Sequence, residues 1–512
     1  MSVIEVSTNR RQPVTLEEPF DMLHVTSSGE VIAKNAVAVV VSDAAKSSTI
    51  LNDGNIASVN RSADPRDAVR YEGVAEGSSS SLTNAGFISS SSGSGISIHS
   101  GLPVQRAELF IWNAGWISGV RSGISHASTD RNLSVIVLND VNGILSGTFG
   151  IVVESEDGSP SGNTGGLILA NWGTINSGII GVFGSKALVP LTIRNNGLIS
   201  GGEGAVRGGH AGDVYDGRLG SVVGAIDGAG GNDTLLGGTG NESILGGSGH
   251  DMIDGGTGAD TLRGGLGDDL IFVDHATDRV FEASGEGADT VMAAVSYRLS
   301  GTAEVEWLTT ADTPGTAAID LTGSNTANAI MGNFGANRLS GLGGPDTLIG
   351  LGGQDTLSGG DGADLLLGGE GNDVLSGGAG NDRLEGGDGH DRLNGGAGLD
   401  RLGGGDGRDQ FIFDTPGGTP DLIVDFNPAD DTIRLSRTAF GGFEATGPLA
   451  AAAFALAADG VAGTASHRLL YDAATGMLWH DADGNGLGLA TQIALLENMP
   501  ANVTAGDFVI IA

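Results

Sequence analysis

The sequence predicts an all-β chain built almost wholly from stacked coils, and three observations predict it. Two tandem blocks repeat a nine-residue glycine–aspartate unit, at 228–272 and 341–412. A looser asparagine–glycine phrase returns every 24 to 32 residues through the first 220. Glycine accounts for 91 of 512 residues while charged residues make up only 17%, a balance that suits β-coils rather than a helical bundle. Internal repeats outrank local propensity, because each unit buries its apolar side only by stacking on the next. Five segments follow: a β-helix at 1–220, a short-period coil at 221–274, a spacer at 275–322, a second short-period coil at 323–414 and capping strands at 415–512.

The N-terminal phrase is apolar-x-Asn-x-Gly-x-Ile with variations, as in ILNDGNIAS, SLTNAGFIS, IWNAGWISG, LANWGTINSG and IRNNGLISG, with VLNDVNGILSG a looser copy. Its asparagines are Asn52, Asn84, Asn113, Asn139, Asn171 and Asn195. Short alternating strands, closed by Asn or Gly turns at a rung-like period, predict a right-handed parallel β-helix. Asparagine tolerates left-handed backbone in such turns, and its amide is suited to an internal ladder. The phrase resembles repeats of secreted and autotransporter-type β-helices, a likeness of architecture that names no activity. Such β-helices often carry polysaccharide lyases or epimerases. Asp64-Pro65-Arg66-Asp67 is faintly similar to the Asp-Pro-His motif of mannuronan epimerases, but the histidine is missing, so a polar loop between rungs is expected. His99, His126 and His210 are isolated and read as surface or turn residues. Trp112, Trp116 and Trp172 lie near turns; packing between rungs or covering an end is expected of them, with stacking on sugar rings as the alternative.

In the nine-residue units glycine recurs at the fourth place and an acid holds the sixth. In the first block these acids are Asp233, Glu242, Asp251, Asp260 and Asp269; in the second they are Asp346, Asp355, Asp364, Asp373, Asp382, Asp391, Asp400 and Asp409. The eighth place is Leu, Ile or Phe throughout, from Leu235 to Phe411. A polar-apolar-polar triplet makes a very short strand with one side chain inward. The six residues before it reverse the chain, and glycine supplies the positive φ that such turns need. Two units therefore make one flattened coil, and units 18 residues apart stack on the same side. Their carboxylates converge along one edge, which is repulsive unless a cation lies between them. Carboxylates with free turn carbonyls form an all-oxygen ligand set, which suits calcium better than zinc. Glu242, with its longer side chain, departs from the pattern, and two degenerate units before the second block carry Asn328 and Asn337 at the sixth place.

The pattern GGxGxDxLx resembles the repeats of RTX (repeats-in-toxin) calcium-binding proteins. The resemblance implies that both blocks form calcium-binding parallel β-rolls. The full expectation is a β-helix, two β-rolls and a C-terminal β cap, with the thirteen sixth-place acids named above as calcium ligands.

The net charge of -37 argues against nucleic acid and against simple attraction to anionic membranes. Bound calcium would offset much of it: 341–414 carries fourteen acids against four bases. The absence of cysteine excludes disulfides and thiolate sites. No apolar run is long enough for a transmembrane segment, and MSVIEVSTNRRQPVTLEEPF has no apolar core of the Sec type. The segment 421–436 looks like the capping strands that follow RTX rolls, and PLAAAAFALAADG at 448–460 favours helix by composition. The run 481–486 is superficially similar to an EF-hand loop, but position 492 is Gln where that loop needs Glu, so a turn between strands is expected. The ending Asp507-Phe508-Val509-Ile510-Ile511 matches the acidic-then-apolar close of type I secretion substrates. The resemblance implies export by the type I secretion apparatus of a Gram-negative bacterium to the extracellular space or cell surface. The leading expectation is a non-enzymatic surface, matrix or adhesion component, with a cell-surface polysaccharide among its possible ligands. The alternative is a polysaccharide lyase or epimerase acting on the β-helix. No His-Glu-x-x-His occurs, which excludes a serralysin-type protease.

Overall fold

Each asparagine phrase sits at a corner where one strand ends and the next begins, and this sets the period of the first half of the chain. The computed structural model describes residues 3–512 apart from 8, 17–21, 29, 35–37, 42–47, 60–66, 73–78, 101–106, 129–132, 156–166, 185–189, 416–418, 459 and 487. It divides into two units, Met1–Ile271 with Thr277–Gly287, and Phe272–Ala276 with Ala288–Ala512. Nearly all pairing is parallel, and the described residues contain no α-helix, only two single 3-10 turns at Ala451–Ala453 and Ala505–Asp507.

In the first unit a rung contributes three strands. Ala107–Asn113, Trp116–Gly119 and Ser122–Ser128 belong to one rung, and each pairs in parallel with its counterpart on the next. Side chains alternate inward and outward, and the inward ones are aliphatic: Leu109, Ile111, Ile117 and Ile124 are at most 1% exposed. The asparagines point inward too. All six are fully buried, and each donates its Nδ2 to the Oδ1 of the next, at 2.7–2.9 Å, from Asn52 through to Asn195. The last donates to the hydroxyl of Tyr215 at 3.4 Å. This is the internal ladder that the phrase predicts.

A buried ladder has no water to replace a missing member. Asn113→Ala would strip the acceptor from Asn84 and the donor from Asn139. Each orphaned group costs about 1–3 kcal/mol, so the first unit is expected to lose about 2–6 kcal/mol. Thermal unfolding at saturating calcium checks this. An unchanged midpoint would mean that the ladder is ornamental.

The rung then shortens. Strands of the second face end at Ser221–Val223, while the other two faces continue. Val214–Asp216 pairs with Thr234–Gly238, and Ile226–Asp227 pairs with Ser243–Ser248. The 18-residue coils are thus laid directly on the last rungs of the β-helix, in the same parallel sheets. From there Thr234–Gly238 pairs with Met252–Gly256, and Ser243–Ser248 with Thr261–Leu266.

The second unit repeats the two-strand coil over a longer run. One face carries Thr290–Ala293, Trp307–Thr310, Ala329–Met331, Thr347–Gly352, Leu365–Glu370, Arg383–Gly389 and Arg401–Gly407 in order. The other runs from Tyr297–Arg298 and Leu321–Thr322 to Gln410–Phe413. Strands from within 288–322 therefore stack in register with the repeats that follow them. The eighth-place residues Leu348, Leu357, Leu366, Leu384, Leu393, Leu402 and Phe411 are 0% exposed and form the core. The last coil receives Asp421–Ile423 and Thr432–Ser436, which in turn receive Thr491–Leu496 and Phe508–Ile511. Antiparallel strands Leu469–Tyr471 and Met477–His480 close this end.

Two expectations change here. The alanine-rich segment at 448–460 is not a helix. It makes one 3-10 turn and the strand Phe454–Leu456, because the Phe454 ring packs against Phe508, 5.4 Å between centroids, and its backbone pairs with Leu469–Tyr471. Trp112, Trp116 and Trp172 are not packed between rungs; they are 51%, 44% and 45% exposed on the outer surface. The run 481–486 does lie between strands Met477–His480 and Thr491–Leu496. Of Asp64-Pro65-Arg66-Asp67, the first three fall outside the described residues. The side chains of His99 and His126 lie outside them as well. His210 is exposed.

Candidate metal centre

The sixth-place acid sits where the turn meets the strand, and its two oxygens do different things. Oδ1 accepts the backbone N–H of the sixth residue one coil earlier. Asp251 takes it from Asp233, Asp364 from Asp346, Asp391 from Asp373, and the same bond recurs along each column at 2.6–2.9 Å. Residues 18 apart are joined into a spine because the parallel register places them side by side.

The other oxygen has no such partner. In Asp233, Asp251, Asp346, Asp355, Asp364, Asp373, Asp382, Asp391, Asp400 and Asp409, Oδ2 is buried and accepts no hydrogen bond, and these residues are at most 3% exposed. Each Oδ2 lies against the first-place glycine of its own unit. A Cβ on Gly341, Gly359 or Gly377 would meet Oδ2 of Asp346, Asp364 or Asp382, together with the carbonyl oxygen of Gly359, Gly377 or Gly395. The cradle is therefore made of one carboxylate oxygen and the glycine carbonyl of the adjacent coil, both bare of side chains.

Burial disfavours the charged form, so these carboxyls are pushed up from their ordinary range. Desolvation lifts Asp233 to about 8, Asp346 and Asp391 to about 7, and Asp355 and Asp382 to about 6. The N–H donated from the preceding coil works in the opposite direction, and neighbouring acids add to the rise. A buried anionic oxygen facing carbonyl oxygens is an arrangement that a hard cation completes.

The sequence profile of the RTX calcium-binding nonapeptide repeat matches 225–253, 236–271, 245–280, 322–357, 331–366, 340–375 and 376–411. Both blocks are RTX calcium-binding repeats. Calcium is therefore the cation that these coils take, and the orphaned oxygens and carbonyls of the cradle fit it. No curated protein matches the chain. RTX repeats are typical of secreted bacterial proteins. Among the described residues no helix is long and apolar enough to cross a membrane.

The RTX turns also use residues that the repeat pattern does not single out. At the fifth place, Asn232, Asn241, Asn372 and Asn381 each accept the N–H of the fifth residue one coil later, at 2.8–3.0 Å. His250 and His390 do the same through Nδ1, for Asp268 and Arg408. This second ladder needs an acceptor side chain, so Asn or His at the fifth place was its signal. At the end of each RTX block one carboxylate takes both N–H groups of a glycine pair that has no further repeat to stack on. Glu282 does so for Gly264 and Gly265, and Asp425 for Gly404 and Gly405. Asp421 and Asp431 extend the spine into the cap, accepting from Asp400 and Asp409. Neither lies in a nine-residue unit, so only the structure reveals them.

Proposed function

We propose that this is a secreted calcium-dependent protein whose RTX blocks fold outside the cell and whose β-helix faces a surface or matrix ligand. The observation that carries the calcium half is the partnerless buried Oδ2 of Asp233, Asp251 and the eight sixth-place aspartates of the second block. We assign the ions to Asp233, Asp251, Asp260, Asp269, Asp346, Asp355, Asp364, Asp373, Asp382, Asp391, Asp400 and Asp409, with a glycine carbonyl of the adjacent coil completing the cradle at Asp233, Asp251, Asp346, Asp355, Asp364, Asp373, Asp382 and Asp391. Extracellular calcium modules bind at about 10⁻⁴ to 10⁻³ M, well above cytosolic calcium. The blocks then stay open before export and close after it. An ion that binds only the folded form, at a hundred times its dissociation constant, stabilises it by about 2.7 kcal/mol. Several such ions make folding of the blocks conditional on calcium. Export through a type I apparatus is supported by the RTX blocks and by the absence of cysteine, which leaves calcium in place of disulfides as the staple.

A calcium titration of the full chain at pH 7.5, followed by far-ultraviolet circular dichroism and ion counting, tests this reading. The expected result is a cooperative gain of β-structure with several ions per chain. Identical spectra in chelator and in millimolar calcium would sink it.

The β-helix exterior favours a glycan ligand. Phe87 and Trp116 stand on adjacent rungs with ring centroids 6.2 Å apart. Trp112 and Trp172 flank the same corner of the coil. The indoles keep polar company: Trp116 donates to Ser146 Oγ at 3.1 Å and Trp112 to Asp140 Oδ2 at 3.4 Å. Exposed aromatic faces beside hydrogen-bonding groups suit sugar rings. The lyase or epimerase alternative draws less support. Asp67 is half of a strand-start clasp, its Oδ1 accepting from the Ser94 N–H and its Oδ2 pairing with Arg70 at 2.9 Å. Pull-down on insoluble polysaccharides with the Trp112→Ala, Trp116→Ala double variant checks the glycan reading. Wild-type retention lost in the variant is expected, and equal retention would count against that surface.

A further inference from the structure

The turns of the solenoid come in two states, and the state depends on the second residue. Where Oδ2 lacks a partner, the second residue is left-handed: φ is 118° at Gly247, 118° at Gly360 and 116° at Gly378. The chain holds to this even without glycine, with Ala229 at 70° and Leu342 and Leu351 at 80°. A branched or long side chain in that region is strained. Five other turns differ. At Gly209, Gly238, Ser324, Asn333 and Asn427 the second residue is not left-handed. Its N–H instead swings inward and donates to the side chain four residues later in the same turn. Gly209 closes on Asp213 at 3.0 Å, Gly238 on Glu242 at 3.4 Å, Ser324 on Asn328 at 2.7 Å, Asn333 on Asn337 at 2.9 Å and Asn427 on Asp431 at 2.8 Å.

Four of these closed turns share one place in the fold. Asp213 opens the column that continues through Asp233, and Glu242 opens the one that continues through Asp260. Asn328 and Asn337 open the two columns of the second block, leading to Asp346 and Asp355. We propose that each column begins with a turn sealed by its own backbone, and that these starting turns hold no calcium. The inference rests on the calcium reading above and sets Glu242 apart from the other twelve acids. The chemistry of the starters agrees. In Asn328 and Asn337 the Nδ2 group donates backwards to the carbonyls of Val305 and Ile319, at 2.6 and 3.0 Å. A carboxylate cannot make that bond, and a calcium ligand has no use for it. The sealed start gives the first coil a floor that forms without ions, from which the ion-holding turns propagate.

Ion counting and calcium midpoints on three full-length variants test the proposal, with circular dichroism confirming the fold. Glu242→Gln keeps an oxygen acceptor for Gly238, so the number of ions should be unchanged and the midpoint should hold within about twofold. Asn328→Asp should add no ion and should lower the unfolding temperature, because it sets a carboxylate against the Val305 carbonyl. Asp373→Asn, in an open turn, should lose bound calcium. An ion lost in Glu242→Gln, or one gained in Asn328→Asp, would overturn the sealed-start proposal. A chain that binds no calcium at all would overturn the function reading instead.

Discussion

Lowering the pH from 8 to 6 is expected to stabilise the RTX blocks in chelator and to destabilise them in millimolar calcium. Without ions, burial holds the folded carboxyls well above their unfolded value of about 3.9: about 6 for Asp355 and Asp382, about 7 for Asp346 and Asp391, about 8 for Asp233. Between pH 4 and 8, roughly, the folded form then binds more protons than the unfolded one. Stability therefore falls as pH rises, by linkage. It is fully present at the acid end and is lost as pH climbs through 6 to 8. Relief of repulsion in a chain of charge -37 acts in the same direction. With calcium bound the sign reverses, because a proton must displace an ion from the same oxygen. In chelator, where the blocks are open, circular dichroism reads the slope as β-structure recovered on going from pH 8 to 6; in millimolar calcium, urea unfolding at the two pH values reads it. Slopes of the same sign in the two conditions would refute the assignment of these carboxyls to the ion.

Gly380→Ala is expected to be the most damaging conservative change in the second block. The φ of Gly380 is 141°, and a Cβ there would press on the carbonyl of Gly362 in the adjacent coil. Neither coil has room to retreat, since Gly362 N–H is tied to the Ala379 carbonyl at 2.8 Å and Gly380 N–H to the Ala397 carbonyl at 2.8 Å. Backbone strain of about 1–3 kcal/mol adds to overpacking of about 1–3 kcal/mol. The loss should therefore come to about 2–6 kcal/mol in saturating calcium. Ala363→Ser, at an exposed fifth place, is the control and should change little. Equal unfolding temperatures for the two variants would show that the coils stand further apart than this contact requires.

The repeat period made most of this architecture legible. Strict nine-residue phasing fixes two strands per coil, one inward side chain per strand and a column of acids, because no other register buries Leu348 and Leu357 together. The asparagine spacing likewise foretold a buried ladder. What the sequence hid depends on contacts between distant segments. Phe454 is drawn into a strand by Phe508, against the helix preference of the alanines around it. Asp425 and Glu282 look like ordinary surface acids until the glycine pairs they cap are seen. The two turn states were hidden for a different reason. They hinge on the φ of the second residue, and Gly238 and Gly247 are the same letter in opposite conformations.

The seam between β-helix and first RTX coil bears on how quickly order can spread. A free coil of this kind must fix two turns and two strands before any neighbour rewards it. Its first closure is therefore the slow step. Here Val214–Asp216 and Ile226–Asp227 already present two strand edges at the right separation, held by the ion-free core beneath them. The first block grows from a template and has no nucleus of its own to wait for. Its rate of ordering after a calcium jump is therefore governed by the arrival of ions, one coil at a time.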